Sequence, residues 1–360
     1  MTREGRRVML GLREVFCDNE NIKVWGRTTA ERKPLTLFWT GSGIEMNVSG
    51  SEMWITIDTD HEAYEPWISI LIDGTVMQRM MLPKGRHEIC VFRSLTPTNY
   101  RNVKIIKDMQ AMSDDTKSLL QIVSIKTDGA FMPVEDKKYH LEFIGDSITS
   151  GEGGNGAKNE MDWVSAVFSS INNYGYMTAK ALNAEYRVVS QSGWGFYQSW
   201  DGHRENSIPQ YYEQICGLLK GQRNIELGAH DKYDFDSYKA DAVIINLGTN
   251  DISGCGGSVN DENKAVLIKA AVDFMTMIRK NNPDSHIVWV YGMLGNGLED
   301  TLKEAVAEYK EKSGDENAAY LALPDTQPDQ LGSREHPGLI SHQNTAKVIS
   351  EYLRKVLNIA

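Results

Sequence analysis

The hydrophobic period of this chain changes once, at the polar segment Pro133-Val134-Glu135-Asp136-Lys137-Lys138. No other feature constrains the fold as strongly. Before the segment, from about Asn21 to Ala130, short alternating runs recur at 35–39, 53–57, 67–72, 87–92, 103–106 and 120–125. Turn signals such as Gly41-Ser42-Gly43, Asp73-Gly74, Pro83-Lys84-Gly85 and Asp128-Gly129 separate them. Short strands at roughly ten-residue spacing with no helical period predict a β-sandwich or barrel. Asp73-Gly74 after an apolar run is a strong hairpin signal. After the segment, almost continuously apolar runs at 139–144, 186–190, 242–247, 286–291 and 319–323 alternate with helical periods. Such runs suit strands of a parallel sheet buried on both faces. The clearest helix is predicted over 261–281, with Val266, Leu267, Ala270, Ala271, Phe274 and Ile278 on one stripe and Pro283 as its stop. A last helix starts at Ser341 with Ala346, Ile349 and Leu353 inward. The expected architecture is a β-sandwich over residues 1–136, then a three-layer α/β/α domain over 137–360. Its five-stranded parallel sheet is expected in flavodoxin-like order. A chain of 360 residues agrees with two cores better than with one.

Composition narrows the partners. A net charge of −11 argues against nucleic acid and against an anionic membrane, both of which need a basic surface, and is compatible with a neutral ligand such as a sugar. Cys17, Cys90, Cys216 and Cys255 are scattered without metal-ligand spacing and read as reduced thiols. The apolar run near the N-terminus breaks at Arg13, too short for a secretory signal, and no stretch approaches a membrane span. A cytoplasmic location is expected. The oligomeric state is not legible.

Four chemical features fall at the carboxyl ends of predicted strands, where open α/β sheets bind their ligands. They are Gly145-Asp146-Ser147, Ser192-Gly193-Trp194, Gly248-Thr249-Asn250-Asp251 and, before the last helix, His336-Pro337-Gly338. Alone, the first reads equally as a helix cap or as a corner exposing a nucleophile. Together the four supply what acyl transfer needs. Ser147 is a weak nucleophile until His336 accepts its proton. The backbone N–H groups of Ser147 and Gly193 and the side-chain amide of Asn250 would hold the oxyanion.

These blocks resemble those of the SGNH (GDSL-like) hydrolase superfamily. With a β domain in front of Phe143-Ile144-Gly145-Asp146-Ser147 and His336-Pro337-Gly338-Leu339-Ile340-Ser341-His342 behind, the chain looks like carbohydrate esterase family 2. The resemblance implies a jelly-roll domain packed on the hydrolase domain and removal of O-acetyl groups from xylan- or mannan-type sugars, without a cofactor and without a metal. One position departs: the Asp usual three residues before the histidine is Ser333. The resemblance then implies a Ser147–His336 dyad with the imidazole held by a main-chain carbonyl. Asp329 is the alternative third member; Glu335, next to the histidine, is expected to point elsewhere.

Other residues admit plain structural readings. Asp146 and Asp251 are expected to bond backbone amides around their corners. Trp194 reads as a sugar platform or as core, and His342 as a substrate contact or as a helix-end residue. Trp25, Trp39, Trp54, Trp67 and Tyr64 read as sandwich core or as a sugar-stacking face. The glycine-rich run 151–158 lacks the lysine and hydroxyl of a P-loop and reads as a flexible rim beside Ser147. Two other functions fit parts of the pattern: a metal-dependent phosphoesterase using Asp146, Asn250 and histidines, whose expected upstream Asp-x-His and Gly-Asn-His signatures are absent, and a carbohydrate-binding protein with an inactive hydrolase domain.

Overall fold

A computed structural model describes residues 11–359; the N-terminal reading therefore lies largely outside the described residues. The hairpin forms as expected. Trp67–Ile72 and Thr75–Met81 pair with Ile72 opposite Thr75, and Asp73 and Gly74 both take the positive φ that a two-residue turn of this hand requires. Around it, two antiparallel sheets build a sandwich. One joins Arg13–Val15, Leu119–Thr127, Glu52–Asp60 and Gly85–Arg93, with Leu35–Thr36 on the side. The other joins Phe131–Met132, Gly43–Val48, Arg101–Lys107, Trp67–Ile72 and Thr75–Met81, with Ile22–Trp25 on the side. Ile55, Ile57, Ile70, Ile105 and Ile122 fill the space between them.

The run at 35–39 is not one strand. Only Leu35–Thr36 pairs, after which Phe38 and Trp39 leave the sheet and bury themselves in the neighbouring α/β core. The Trp39 indole donates to the Ile215 carbonyl at 2.6 Å. Trp67 lies under the Arg79 guanidinium, and Tyr64 meets Trp163 edge-on. Several of the aromatics of this first part thus serve the seam between the two parts. Asp108, fully buried, ties the seam: it accepts Arg79 Nε at 2.6 Å and the Ser170 N–H at 2.7 Å.

The second part is a five-stranded parallel sheet in the order Glu185–Ser190, His140–Gly145, Ala242–Asn246, His286–Tyr291, Ala318–Ala322. This is the flavodoxin-like order, its switch point between His140–Gly145 and Ala242–Asn246. Asp261–Asn281 and Glu299–Ser313 cover one face, and Tyr174–Ala181 and Leu339–Val356 the other. The long helix has the expected bounds, capped by the Asn260 side chain on the Asn263 N–H. Val266 is the exception to its stripe: it is exposed, and Ile268 and Met275 are buried in the contact instead.

A charge cluster sits inside this domain. Glu142 is completely buried and accepts Arg27 Nη2 and Arg187 Nε, each at 2.8 Å, and the Tyr212 hydroxyl at 2.7 Å. Burial opposes its ionisation, but Arg187 and Arg27 outweigh it and hold the carboxyl at about 2. Replacing Glu142 by alanine leaves two buried guanidinium groups uncompensated and is expected to cost about 3–5 kcal/mol in denaturant unfolding at neutral pH. Because the folded-state value is depressed, the contribution is present above the ordinary carboxylate range. It is lost as pH falls toward 2, so the gap between the two proteins should narrow in acid.

Candidate active site

The sheet's carboxyl edge gathers the expected residues in a cleft of about 540 Å³ that Ser113 and Asp114, from the loop after Arg101–Lys107, also line. The strand His140–Gly145 ends at Asp146, whose carboxylate accepts the Ile148 N–H at 3.0 Å and so caps the short helix Ser147–Ser150. Ser147 is the first residue of that helix, where a backbone N–H has no intrahelical acceptor. Burial, with Asp251 and Glu152 nearby, pushes the Asp146 carboxyl up to about 7.

Ser147 Oγ lies 2.9 Å from His336 Nε2, and His336 Nδ1 lies 2.8 Å from the Arg334 carbonyl oxygen. A carbonyl can only accept, so Nδ1 carries the hydrogen and Nε2 is left to accept from the serine. Asp329 does not take the third place. It sits exposed on the turn Pro328–Gln330, and the position beside Nδ1 is filled by the Arg334 carbonyl. Ser333, which stands where an aspartate was expected, donates instead to the Asn155 carbonyl at 2.6 Å. Arg334 and Glu335 both have positive φ, 57° and 54°, a backbone form that costs of order 1–3 kcal/mol per non-glycine residue. That turn aims the carbonyl at the imidazole.

Gly193 has φ +79°, and a Cβ there would stand 3.0 Å from the Trp200 ring. Only glycine fits without strain, and among the described residues its N–H has no protein acceptor. The preceding residue, Ser192, is fixed twice: its N–H donates to Gln110 Oε1 and its hydroxyl to Glu152 Oε2, both at 2.8 Å. Asn250 reaches the same cleft, its Nδ2 donating to Asp146 Oδ2 at 3.2 Å and to the Trp194 carbonyl at 3.1 Å. Asp251 is fully buried and accepts three successive amides, those of Phe196, Tyr197 and Gln198. Burial pushes its carboxyl up to about 7.

Two expected substrate contacts change. His342 is completely buried, its ring parallel to Tyr174 and its Nδ1 accepting the Tyr174 N–H, and burial pushes it down to about 3. It is a neutral core residue. Trp194 borders the cleft but is 6% exposed and tilts onto Tyr211, so it offers little ring face. Trp200, 61% exposed on the same cleft, is the ring that presents its face there.

The glycine-rich run is not a free rim. Gly153, φ +82°, lies so close under the histidine loop that a Cβ would stand 2.6 Å from His336 Cβ. Within that run Glu152 is 2% exposed and bonded to Arg334 and Ser192. Sequence reading passed over Glu152, Arg334 and Gln110. The signal for the first was a single carboxylate among glycines. Among the described residues, no three His, Cys, Asp or Glu side chains converge as a metal-ligand group.

Comparison with known proteins matches two families to successive parts of the chain. Residues 24–134 match the carbohydrate esterase 2 N-terminal family, and residues 143–339 match the GDSL-like lipase/acylhydrolase family. The chain is similar to the solved acetyl xylan esterase Est2A from the rumen bacterium Butyrivibrio proteoclasticus: 42% identical, covering 97% of this chain and 99% of that one, with a TM-score of 0.94. It is 25% identical to an acetylxylan esterase/glucomannan deacetylase of Cellvibrio japonicus over 98% of this chain and 93% of that protein. It is 27% identical to the cellulase/esterase CelE of Acetivibrio thermocellus over 89% of this chain, and spans 37% of CelE's length.

Proposed function

The chain belongs to the GDSL-like lipase/acylhydrolase family and is a carboxylic ester hydrolase of the carbohydrate esterase 2 type, and we propose that it removes O-acetyl groups from hemicellulose-type oligosaccharides, acetylated xylan or mannan fragments, through a Ser147–His336 acyl-enzyme. The observation that carries this reading is the 2.9 Å contact between Ser147 Oγ and His336 Nε2, with Nδ1 committed to a carbonyl. Ser147 Oγ attacks the acetyl carbonyl carbon as its proton passes to His336 Nε2. The carbonyl oxygen, now negative, takes the N–H groups of Ser147 and Gly193 and the Asn250 amide. Collapse breaks the bond to the sugar oxygen, which leaves with the proton from His336. Water then repeats the sequence, deprotonated by His336, to release acetate and restore the serine. Trp200 at the cleft wall suits stacking on a sugar ring, and the net charge of −11 is compatible with a neutral one.

The test is acetate release from acetylated xylo- and manno-oligosaccharides, with 4-nitrophenyl acetate and 4-nitrophenyl phosphate in parallel. Acetate release unaffected by a chelator, with the phosphate ester untouched, is expected. Phosphate-ester turnover that a chelator abolishes, without acetate release, would replace this reading by a metal-dependent one.

A further inference from the structure

The Ser147–His336 pair has no side-chain carboxylate on Nδ1, yet one buried carboxylate touches each element that positions the pair. The backbone N–H of Glu152 donates to the Ser147 carbonyl at 3.0 Å. Its Oε2 accepts the Ser192 hydroxyl at 2.8 Å and the Trp163 indole at 3.4 Å, and its Oε1 accepts Arg334 Nε at 2.9 Å. Oε2 is also 3.8 Å from His336 Nε2. A carboxylate only 2% exposed stays in place only if such partners repay its desolvation. Ser192 precedes Gly193, which lines the cleft and whose N–H has no protein acceptor among the described residues, and Arg334 owns the carbonyl on Nδ1.

We propose that Glu152 is a positioning residue: seated between Ser192 and Arg334, it locks the oxyanion loop and the histidine loop to the backbone of Ser147. It also pairs with the Arg334 guanidinium while its Oε2 stands 3.8 Å from the Nε2 that takes the serine's proton, so its charge favours the imidazolium. Gln110 completes the lock from the β-sandwich side by accepting the Ser192 N–H, so the first part of the chain reaches the oxyanion loop through one hydrogen bond. This inference rests on Ser147 and His336 being the reacting pair.

The experiment is steady-state kinetics of Glu152→Gln on 4-nitrophenyl acetate, with thermal unfolding of the same preparation and Ser147→Ala alongside. Glutamine keeps the shape and removes the charge. The expected result is a kcat lower by roughly 10- to 100-fold with KM within about twofold, the pattern of lost transition-state positioning rather than lost binding. A folded Glu152→Gln protein with wild-type kcat, or with a change in KM alone, overturns it. Should that variant not fold, Ser192→Ala reads the same link. A kcat reduced severalfold at unchanged KM supports the inference, and an unchanged kcat overturns it. If Ser147→Ala itself still turns over, the catalytic reading fails. If Ser147→Ala is inactive while Glu152→Gln behaves as wild type, only the present inference fails.

Discussion

Ser147→Ala, His336→Ala and the double variant should all lose the same activity, on the order of 10⁴- to 10⁶-fold in kcat, about 5–8 kcal/mol of transition-state stabilisation. The equality is the informative part. Ser147 Oγ and His336 Nε2 share one hydrogen bond, and each is useless to the reaction without the other. Their effects therefore cannot add. Removing Ser147 removes the atom that becomes acylated. Removing His336 leaves a hydroxyl that must give up its proton to water and, in the second half, a water that nothing deprotonates. The remaining N–H donors still sustain a residual rate, which sets the common floor. KM should change little, because neither side chain is assigned a share of sugar binding. Acetate release from the oligosaccharide is the better measure, since nitrophenyl acetate, with its good leaving group, hides part of the loss. A Ser147→Ala enzyme retaining a tenth of wild-type turnover would show that the nucleophile lies elsewhere.

What the sequence reveals of this site divides by range. Gly145-Asp146-Ser147, Gly193, Asn250 and His336 are visible because each follows an apolar run or opens a helix, so a local pattern places them on one sheet edge. The strand order follows from the same alternation. The means of holding His336 is not visible, because its partner is a main-chain carbonyl, which every residue carries. The positive φ of Arg334 and Glu335 has no signature either, since glycine would have announced it and these residues do not. Glu152 and Arg334 are 182 positions apart, and nothing in either neighbourhood names the other. In the β part, Gly43–Val48 and Thr75–Met81 were passed over as strands. Thr75–Met81 lacks the alternation of a half-buried strand. At 35–39 the apolar pattern is the same whether the residues fill the sandwich or leave it for the seam, as Phe38 and Trp39 do.

Asn250→Ala should lower kcat by roughly 10²- to 10³-fold, about 3–4 kcal/mol, while KM stays within a few fold. The effect is confined to the transition state because the acetyl carbonyl carries little charge until Ser147 attacks. In the structure both hydrogens of the Asn250 amide are engaged, with Asp146 Oδ2 at 3.2 Å and with the Trp194 carbonyl at 3.1 Å. Both contacts are at the long end for N–H···O. A developing oxyanion is a far stronger acceptor than a neutral carbonyl, and hydrogen bonds to an ionised acceptor are about twice as strong as neutral ones. The amide can therefore turn one hydrogen from the Trp194 carbonyl toward the substrate oxygen while Asp146 keeps hold of the other. On this account Asp146 serves the reaction through Asn250 as well as through the cap on Ile148. Assayed above pH 7, where Asp146 is ionised, Asp146→Asn should then reproduce part of the Asn250→Ala loss in kcat, because a neutral amide presents a weaker acceptor to Nδ2 than a carboxylate. Thermal unfolding distinguishes this from a folding defect: the kcat loss should persist in protein whose melting temperature matches wild type. Wild-type kcat in Asn250→Ala would leave the oxyanion to the two backbone amides alone and remove Asn250 from the machinery.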